Sequence, residues 1–165
     1  MEQSTCDLSD KYGDKGRVIP PGLHHFGGVT RFGGAVVTLK CPEDNTRLKE
    51  LVATPGGGRV LVVDGGGSLR YALLGDLVAK QAEAHGWAGI VVHGCVRDTA
   101  VLKQLKLGVV ALAAMPRRSL KNGEGTVGIA VEIAGVRCAP GDWLFADEDG
   151  IFVIDEAALS QEEKA

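Results

Sequence analysis

The chain has 165 residues, of which 45% are hydrophobic and 24% charged, and its net charge is −3 at pH 7. This length predicts one domain over residues 1–165 with a substantial core, and the acidic balance argues against a nucleic-acid partner. Neither a run of roughly 20 apolar residues nor a secretory signal is visible, so we expect a cytoplasmic protein without a membrane partner.

The first two thirds of the chain predict helices and strands in alternation. Residues 5–12 predict a capped helix, and Leu74, Leu77, Val78, Ala82 and His85 predict the apolar side of a helix of about 11 residues that begins at Asp76 and ends at Gly86. Further helices are predicted over residues 43–53 and 99–106, and strands over residues 32–40, 60–64, 88–92 and 109–113.

The last third predicts antiparallel strands. Residues 126–133 alternate between apolar and polar side chains, Ala134 and Gly135 predict a turn, and residues 136–138 continue as a hairpin partner. Two more strands are predicted over residues 141–147 and 150–154, followed by a helical tail over residues 156–164. The sequence therefore predicts an α/β fold with mixed sheets.

A candidate site arises where the Asp76 helix begins and the strand after it ends. Twenty residues separate Asp76 from the pair Arg97-Asp98, and a helix leading out and a strand leading back bring both to one edge. Open α/β sheets bind their ligands at such edges. A structural alternative is equally open at this point: Asp76 as a helix N-cap, and Arg97-Asp98 as an ion pair.

Other motifs favour structural interpretations. Gly65-Gly66-Gly67 follows a strand, but Arg70 stands where the dinucleotide fingerprint needs glycine, and the chain lacks a Gly-Lys-Ser/Thr tripeptide. Residues 147–150 favour a hairpin turn over a calcium loop. The pair His24-His25 favours a loop at the surface or a contact between subunits. The four cysteines, at positions 6, 41, 95 and 138, favour separate reduced thiols, buried or half-buried, over disulfides or a metal site of His93 and Cys95.

Several short motifs together resemble one protein family. They are Val-Val-Asp-Gly-Gly-Gly at 62–67, Gly75-Asp76-Leu77, Gly-Trp-Ala-Gly at 86–89, Gly-Cys-Val-Arg-Asp at 94–98, Phe-Gly-Gly at 26–28 and 32–34, and Gly-Asp-Trp at 141–143. This pattern, which covers nearly the whole chain, resembles the regulator of ribonuclease activity A and the class II 4-hydroxy-4-methyl-2-oxoglutarate aldolases. Aldolase members carry an Asp, twenty residues and then Arg-Asp, as this chain does. Ribonuclease-binding members typically lack the second Asp of that pair.

The resemblance implies a β/β/α fold of the swivelling-domain type, a trimer or dimer of trimers with sites between subunits, and Mg²⁺ or Mn²⁺ as cofactor. It implies that Asp98 binds the metal, that Arg97 contacts the enolate oxygen, and that Asp76 acts through metal-bound water. The backbone amides of Gly75, Asp76, Leu77 and Val78 would bind the substrate carboxylate. Acidic residues from a neighbouring subunit's C-terminal region can take part in this family, but none can be assigned in this chain.

The implied activity is cleavage of 4-hydroxy-4-methyl-2-oxoglutarate, or a related 4-hydroxy-2-oxo diacid, to pyruvate and a 2-oxo acid, with oxaloacetate decarboxylation as a side activity. An alternative is a non-catalytic module that inhibits ribonuclease E, for which Asp98 would not be needed. A third possibility, a Schiff-base aldolase using Lys80, is disfavoured because that lysine lies on a polar helix face where nothing should lower its pKa.

Overall fold

Strands dominate residues 2–164, the part of the chain that the computed structural model describes. In chain order the strands are β1 (Gly16–Ile19), β2 (His24–His25), β3 (Phe32–Lys40), β4 (Val60–Asp64), β5 (Ala72–Leu74), β6 (Gly89–Val96), β7 (Gly108–Ala114), β8 (Thr126–Val127), β9 (Val131–Ile133), β10 (Val136–Cys138), β11 (Asp142–Ala146) and β12 (Ile151–Asp155). The helices are α1 (Thr5–Tyr12), α2 (Thr46–Val52), α3 (Asp76–Ala84), α4 (Thr99–Leu102) and α5 (Gln161–Lys164), with 3-10 turns over Gly13–Lys15 and Glu156–Ala158.

Four parallel strands, β3, β4, β6 and β7, lie side by side at the centre of a ten-stranded sheet. Parallel strands are covered on both faces, so their sequences are largely continuous apolar runs. In β4, all five residues are buried. On one face, strand residues such as Leu61 and Ile90 pack against Leu48 of α2 and Ala82 of α3. Because the helices cross between parallel strands, the carboxyl ends of these strands gather at one edge.

Antiparallel strands complete the sheet and cover its second face. β11, β12 and β1 continue the sheet beyond β3, while β9 and β10 form a separate hairpin. Ile133 of this hairpin packs with Val62 and Leu144 of the large sheet, and α1 places Leu8 against Phe152 on the outer side. The predicted α/β class with mixed sheets and β/β/α layers is confirmed.

Several predicted boundaries of helices and strands are wrong. The helix predicted over residues 43–53 begins at Thr46, because Glu43 has a left-handed φ of 58° and the Asp44 carboxylate accepts a hydrogen bond from the Thr46 amide. The helix predicted over residues 99–106 ends at Leu102. The strand predicted over residues 88–92 continues to Val96, which carries the chain to the predicted site.

Three strands were not predicted. β1 and β5 contain only four and three residues, too few for a periodic pattern, and β2 pairs His24-His25 with β7, so these histidines do not lie in a loop as expected. The predicted strand over residues 126–133 is two strands, separated around Gly128, whose φ is 78°. In the predicted helical tail, only Glu156–Ala158 and Gln161–Lys164 are helical.

Two further predictions concern the turn at residues 147–150 and the cysteines. The turn joins β11 to β12 as a hairpin, and its Asp147 carboxylate accepts hydrogen bonds from the amide and hydroxyl of Thr5. All four cysteines are free, as predicted, but Cys6 is exposed. Burial raises the pKa of Cys41 to about 12, so this thiol stays protonated at neutral pH.

Within residues 2–164, no helix is long and apolar enough to cross a membrane.

Candidate active site

The beginning of α3 meets the end of β6, as the sequence predicts. The amide of Asp76, the first residue of α3, donates a hydrogen bond to Asp98 Oδ2 at 3.1 Å. One residue earlier, the amide of Arg97 donates to the carbonyl of Leu74 at 2.9 Å, which fixes the end of β6 against β5. Asp76, Arg97 and Asp98 are therefore brought together by one side-chain and one backbone hydrogen bond between neighbouring elements.

Gly75 permits the close approach of these groups. A Cβ atom at this position would lie 2.8 Å from Asp98 Oδ2 and 3.3 Å from Arg97 Cγ and Nε. Gly75 is also the N-cap of α3, so the structural alternative that makes Asp76 the N-cap is wrong. Glycine at this cap offers no side-chain acceptor to the first amides of the helix, whose favoured partners are carboxylates.

Asp98 has an unusual backbone conformation that directs its side chain away from its own helix. Its φ of 56° and ψ of 39° are left-handed, a conformation that Asp and Asn tolerate better than most residues. Although Asp98 is the N-cap of α4, its carboxylate makes no capping hydrogen bond and reaches α3 instead. The side chain is 39% exposed, so one of its oxygens remains accessible to a ligand.

Arg97 lies between Asp98 and a cavity of about 100 Å³. Its Nε is 3.8 Å from Asp98 Oδ2, and its side chain is 40% exposed. An ion pair this long and this exposed contributes little stability. The guanidinium therefore keeps donors available for a bound anion.

The Asp76 carboxylate and the first amides of α3 already have hydrogen-bond partners within the chain, which the sequence did not predict. The Asp76 carboxylate accepts from the amide of Leu77 at 2.8 Å and lies 3.7 Å from Nζ of Lys80. The amides of Asp76 and Leu77, two of the four predicted to bind a substrate carboxylate, thus already donate to side-chain carboxylates. A substrate would have to replace these contacts.

The prediction that Leu77 lies on the apolar face of α3 is wrong. Its side chain is 73% exposed, whereas Val78, Ala79 and Ala82 are buried against the sheet. The predictions for Val78 and Ala82 are thus confirmed, Ala79 takes the place of Leu77 on the buried face, and Leu74 belongs to β5. Leu77 and Val78 both line the cavity.

Five polar residues of the cavity wall were not predicted: Asn45, Lys49, Arg118, Ser119 and Lys121. Asn45 precedes α2 and Lys49 lies on it, whereas the other three follow β7 in a segment without regular structure. The basic run Arg117-Arg118, with Lys121 three residues later, was a visible signal in the sequence. Nothing in the sequence placed that run near Asp76, since more than 40 residues separate them.

The donor set at this edge suits a hard cation rather than a transition metal. Among residues 2–164, no group of three or more His, Cys, Asp or Glu side chains is positioned to hold a metal, and this includes His93 and Cys95. A single accessible carboxylate, that of Asp98, with Asp76 nearby, is compatible with Mg²⁺, which keeps several water ligands.

The fold and the residues at this edge define an α/β protein with a candidate site for a small anionic ligand. Residues 5–153 match the model of a family described as RraA-like, Aldolase/RraA. The chain belongs to this family. A relative from Xanthomonas campestris pv. campestris (strain B100), provisionally named 4-hydroxy-4-methyl-2-oxoglutarate aldolase, is 52% identical over 162 residues, which cover 98% of this chain and 96% of that protein.

Solved structures of similar proteins carry different functional names. The RNA-processing inhibitor RraA from Thermus thermophilis has a TM-score of 0.90 and 48% identity, over 93% of each chain. A protein from Geobacillus kaustophilus HTA426 described as S-adenosylmethionine: 2-dimethylmenaquinone methyltransferase has a TM-score of 0.89 and 39% identity, over 96% of this chain and 99% of that one. The relatives support an aldolase at the family level, but the fold alone does not decide the activity.

Proposed function

We propose that this protein is a divalent-metal-dependent class II aldolase that cleaves 4-hydroxy-4-methyl-2-oxoglutarate, or a related 4-hydroxy-2-oxo diacid, to pyruvate and a second 2-oxo acid. The observation that carries the proposal is the contact of Asp98 with the first amide of α3, beside Arg97 and a cavity. This contact supports the proposal because a half-exposed carboxylate, a guanidinium and the N-terminal amides of a helix lie close together.

The amides of α3 provide the binding site for the carboxylate of the 2-oxo acid. The amides of Asp76 and Leu77 donate to the carboxylates of Asp98 and Asp76, which supports a site that a substrate carboxylate could enter by replacing these contacts. The partial positive charge of a helix N-terminus favours an anion there. With the carboxylate bound at α3, the 2-oxo group of the substrate faces Arg97.

Arg97 stabilises the enolate that carbon–carbon cleavage produces. The C3–C4 bond breaks, its electron pair moves to C3 and the C2 oxygen, and the hydroxyl at C4 becomes a carbonyl as it loses its proton. A guanidinium remains protonated throughout and donates to the developing negative charge in a fixed geometry. Protonation of C3 then yields pyruvate.

Asp98 would hold the divalent cation, and Asp76 would position the water that exchanges protons with the substrate. The cation, when bound, supplies Lewis-acid stabilisation of the negative charge on the 2-oxo acid. Asp76 would reach this position from the first turn of α3, where its carboxylate also lies 3.7 Å from Nζ of Lys80.

Pyruvate release from a panel of 4-hydroxy-2-oxo diacids tests the proposal directly. We expect activity to disappear with excess chelator and to return with Mg²⁺ or Mn²⁺. Asp98→Ala should lose the metal-dependent activity and remain folded, because its side chain is half-exposed and makes no capping bond. Full activity in excess chelator would refute a class II mechanism, and a pyruvate adduct trapped by borohydride would point to Lys80.

The same site should decarboxylate oxaloacetate. Loss of CO₂ from C3 of oxaloacetate leaves the pyruvate enolate that aldol cleavage also leaves, and a site complementary to this enolate accelerates both reactions. Both rates should therefore fall together in Arg97→Ala and Asp98→Ala. Asp76→Asn should slow the aldol reaction more, because decarboxylation removes no hydroxyl proton. Decarboxylation that survives Asp98→Ala would contradict a shared enolate.

Inhibition of ribonuclease E is a second candidate function, favoured by the 48% identity to the RNA-processing inhibitor from Thermus thermophilis. An inhibitor acts through its surface and does not need the Asp98 carboxylate. RNA cleavage by ribonuclease E, measured with wild-type protein and Asp98→Ala, separates the two functions. Inhibition that is equal in both proteins, without pyruvate release by either, would favour the inhibitor.

A further inference from the structure

The cavity beside Arg97 has a cationic wall, which consists of Lys49, Arg118 and Lys121. Within residues 2–164, none of these three side chains forms an ion pair with a carboxylate, although other surface cations such as Arg47 and Arg70 do. The chain as a whole is acidic, with a net charge of −3. Together with Arg97, these cations line a cavity whose only lining carboxylate among the described residues is that of Asp76, so cationic charge exceeds anionic charge there.

The cationic wall is attached to the fold by backbone hydrogen bonds. The amide of Ala72 in β5 donates to the carbonyl of Arg117 at 2.7 Å, and the amide of Leu120 donates to the carbonyl of Glu43 at 2.9 Å. The amide of Asn45 returns a hydrogen bond to the carbonyl of Leu120 at 3.3 Å. Arg118 and Lys121 are thus supported on both sides and do not extend from a free loop.

The cations repel one another in the absence of a ligand. Burial, together with the charges of Lys49, Arg118 and Arg97, lowers the pKa of Lys121. Its only described polar partner is the neutral Asn45, whose Oδ1 accepts from Nζ at 3.2 Å. An anion in the cavity would relieve this repulsion, and it would be attracted by all four cations.

Ser119 adds a buried hydroxyl without a partner to the same wall. Its side chain is only 6% exposed, and its Oγ makes no hydrogen bond with any residue that the structure describes. A buried hydroxyl left unpaired costs roughly as much as a lost hydrogen bond, so such groups usually have a partner. A ligand oxygen in the cavity can provide that partner.

We propose that Lys49, Arg118, Ser119 and Lys121 form a second subsite, which binds the distal carboxylate of a dicarboxylic 2-oxo acid. This inference rests on the proposed function, because Arg97 lines the cavity and also adjoins Asp98, where the 2-oxo end of the substrate would lie. The second subsite makes the protein selective for a leaving group that is itself an acid. A substrate whose distal end is a methyl group would leave the cations and the hydroxyl unpaired.

Equilibrium binding of two non-cleavable probes tests the subsite. 2-Oxoglutarate has the two carboxylates of the proposed substrate but no 4-hydroxyl group, and 2-oxopentanoate has a methyl group in place of the distal carboxylate. Calorimetry with the full chain and Mg²⁺ should give a dissociation constant about 10- to 100-fold lower for 2-oxoglutarate, the usual effect of charge-assisted hydrogen bonds.

Variants of the cationic wall should remove this preference. Lys121→Met, Arg118→Gln and Ser119→Ala should each weaken 2-oxoglutarate binding and leave 2-oxopentanoate binding unchanged. Arg117→Gln is the matched control, because Arg117 has the same charge, adjoins Arg118 and packs over the ring of Tyr71 outside the cavity. It should retain the wild-type preference.

The outcomes separate the subsite from the proposed reaction. A wild-type protein that binds both probes equally, or variants that all keep the preference, would overturn the subsite even if the protein releases pyruvate. A preference that Lys121→Met and Arg118→Gln abolish, and Arg117→Gln does not, supports the subsite even if no diacid is cleaved. In that second case the aldolase proposal fails and the dicarboxylate site remains.

Discussion

Gly75 and Asp98 determine the geometry of the candidate site together. Asp98 can reach the amide of Asp76 only because Gly75 has no side chain, and it points there because its backbone is left-handed. Residues held in such sparsely populated conformations cluster at functional sites, although the conformation alone is not proof of function. A left-handed Asp98 together with a glycine that makes room for its carboxylate indicates a functional site more specifically than either residue does alone.

Gly75→Ala should therefore impair the site without unfolding the protein. The added methyl group would lie 2.8 Å from Asp98 Oδ2, so the carboxylate must move away from α3. We expect weaker Mg²⁺ binding and at least a tenfold loss of pyruvate release, on the order of one misplaced catalytic group. Gly94→Ala, which alters a glycine of β6 whose added Cβ would make only ordinary van der Waals contacts at 3.5 Å, is a control for a general effect on folding. Wild-type turnover by Gly75→Ala would show that the contact with Asp98 is not needed.

Arg97 offers the second test at the level of single residues. Arg97→Ala should lower kcat by a factor of about 10²–10³, the usual cost of removing one donor to a developing oxyanion. Arg97→Lys should recover only part of the rate, because an ammonium group does not reproduce the planar guanidinium. Steady-state kinetics with both variants measure this. If both turn over normally, Arg97 serves only as the partner of Asp98.

The elements that the sequence predicted well are those with strong periodicity or long apolar runs. β4, β6, β7 and α3 were located from such patterns, and they are the elements that position Asp76 and Asp98. The short strands β1, β2 and β5 were missed, because their pairing depends on distant partners rather than on their own sequence. The cationic wall was missed for the same reason, since its position depends on hydrogen bonds to Ala72 and Glu43.

The start of α2 shows how a buried carboxylate can override a helical pattern. Asp44 is 1% exposed, and its carboxylate accepts hydrogen bonds from the amides of Thr46, Asn122 and Glu124. It thereby joins α2 to the segment that follows the cationic wall. Burial alone would raise the pKa of Asp44, but these hydrogen bonds hold it below its ordinary value.

This depressed pKa predicts a loss of stability in acid. A group whose pKa is lower in the folded state stabilises the fold above its unfolded pKa, about 3.9, and loses this contribution as the pH falls through the folded value. Asp44→Asn should lower the free energy of unfolding at pH 7 by roughly 1–3 kcal/mol, because one of the two accepting oxygens becomes an NH2 group that faces amide donors. Urea unfolding at several pH values measures both effects.

The variant should also be less sensitive to pH below 4 than the wild type. Some sensitivity should remain, because the Asp147 carboxylate, held by Thr5, also has a lowered pKa. An unchanged pH profile in Asp44→Asn would contradict this account of α2.

At the scale of the whole molecule, charge is distributed unevenly. The protein is acidic overall, yet Lys49, Arg97, Arg118 and Lys121 line one cavity. These four cations outnumber the one carboxylate of the lining, that of Asp76, and an excess of charge of one sign raises the local concentration of oppositely charged ligands and their rate of association. The field of the molecule thus favours small anions at this edge, and it is consistent with a diacid substrate.

Leu77 connects the candidate site with the expected trimer. Its side chain lines the cavity and is 73% exposed, although it adjoins the carboxylate of Asp76. If subunits meet at the site, as the family resemblance implies, a neighbouring chain covers this leucine and excludes water from the reaction. Leu77→Glu should therefore dissociate the trimer and abolish pyruvate release together, because a buried carboxylate without a partner is costly.

Light scattering and pyruvate release, measured on the same samples, test this coupling. Val127→Glu is a suitable control, because Val127 is also exposed but lies on β8 and does not line the cavity. A wild-type protein that is monomeric and active would remove the model of a site between subunits. So would a Leu77→Glu variant that stays trimeric with full activity, because Leu77 would then be simply an exposed side chain at the mouth of a complete site.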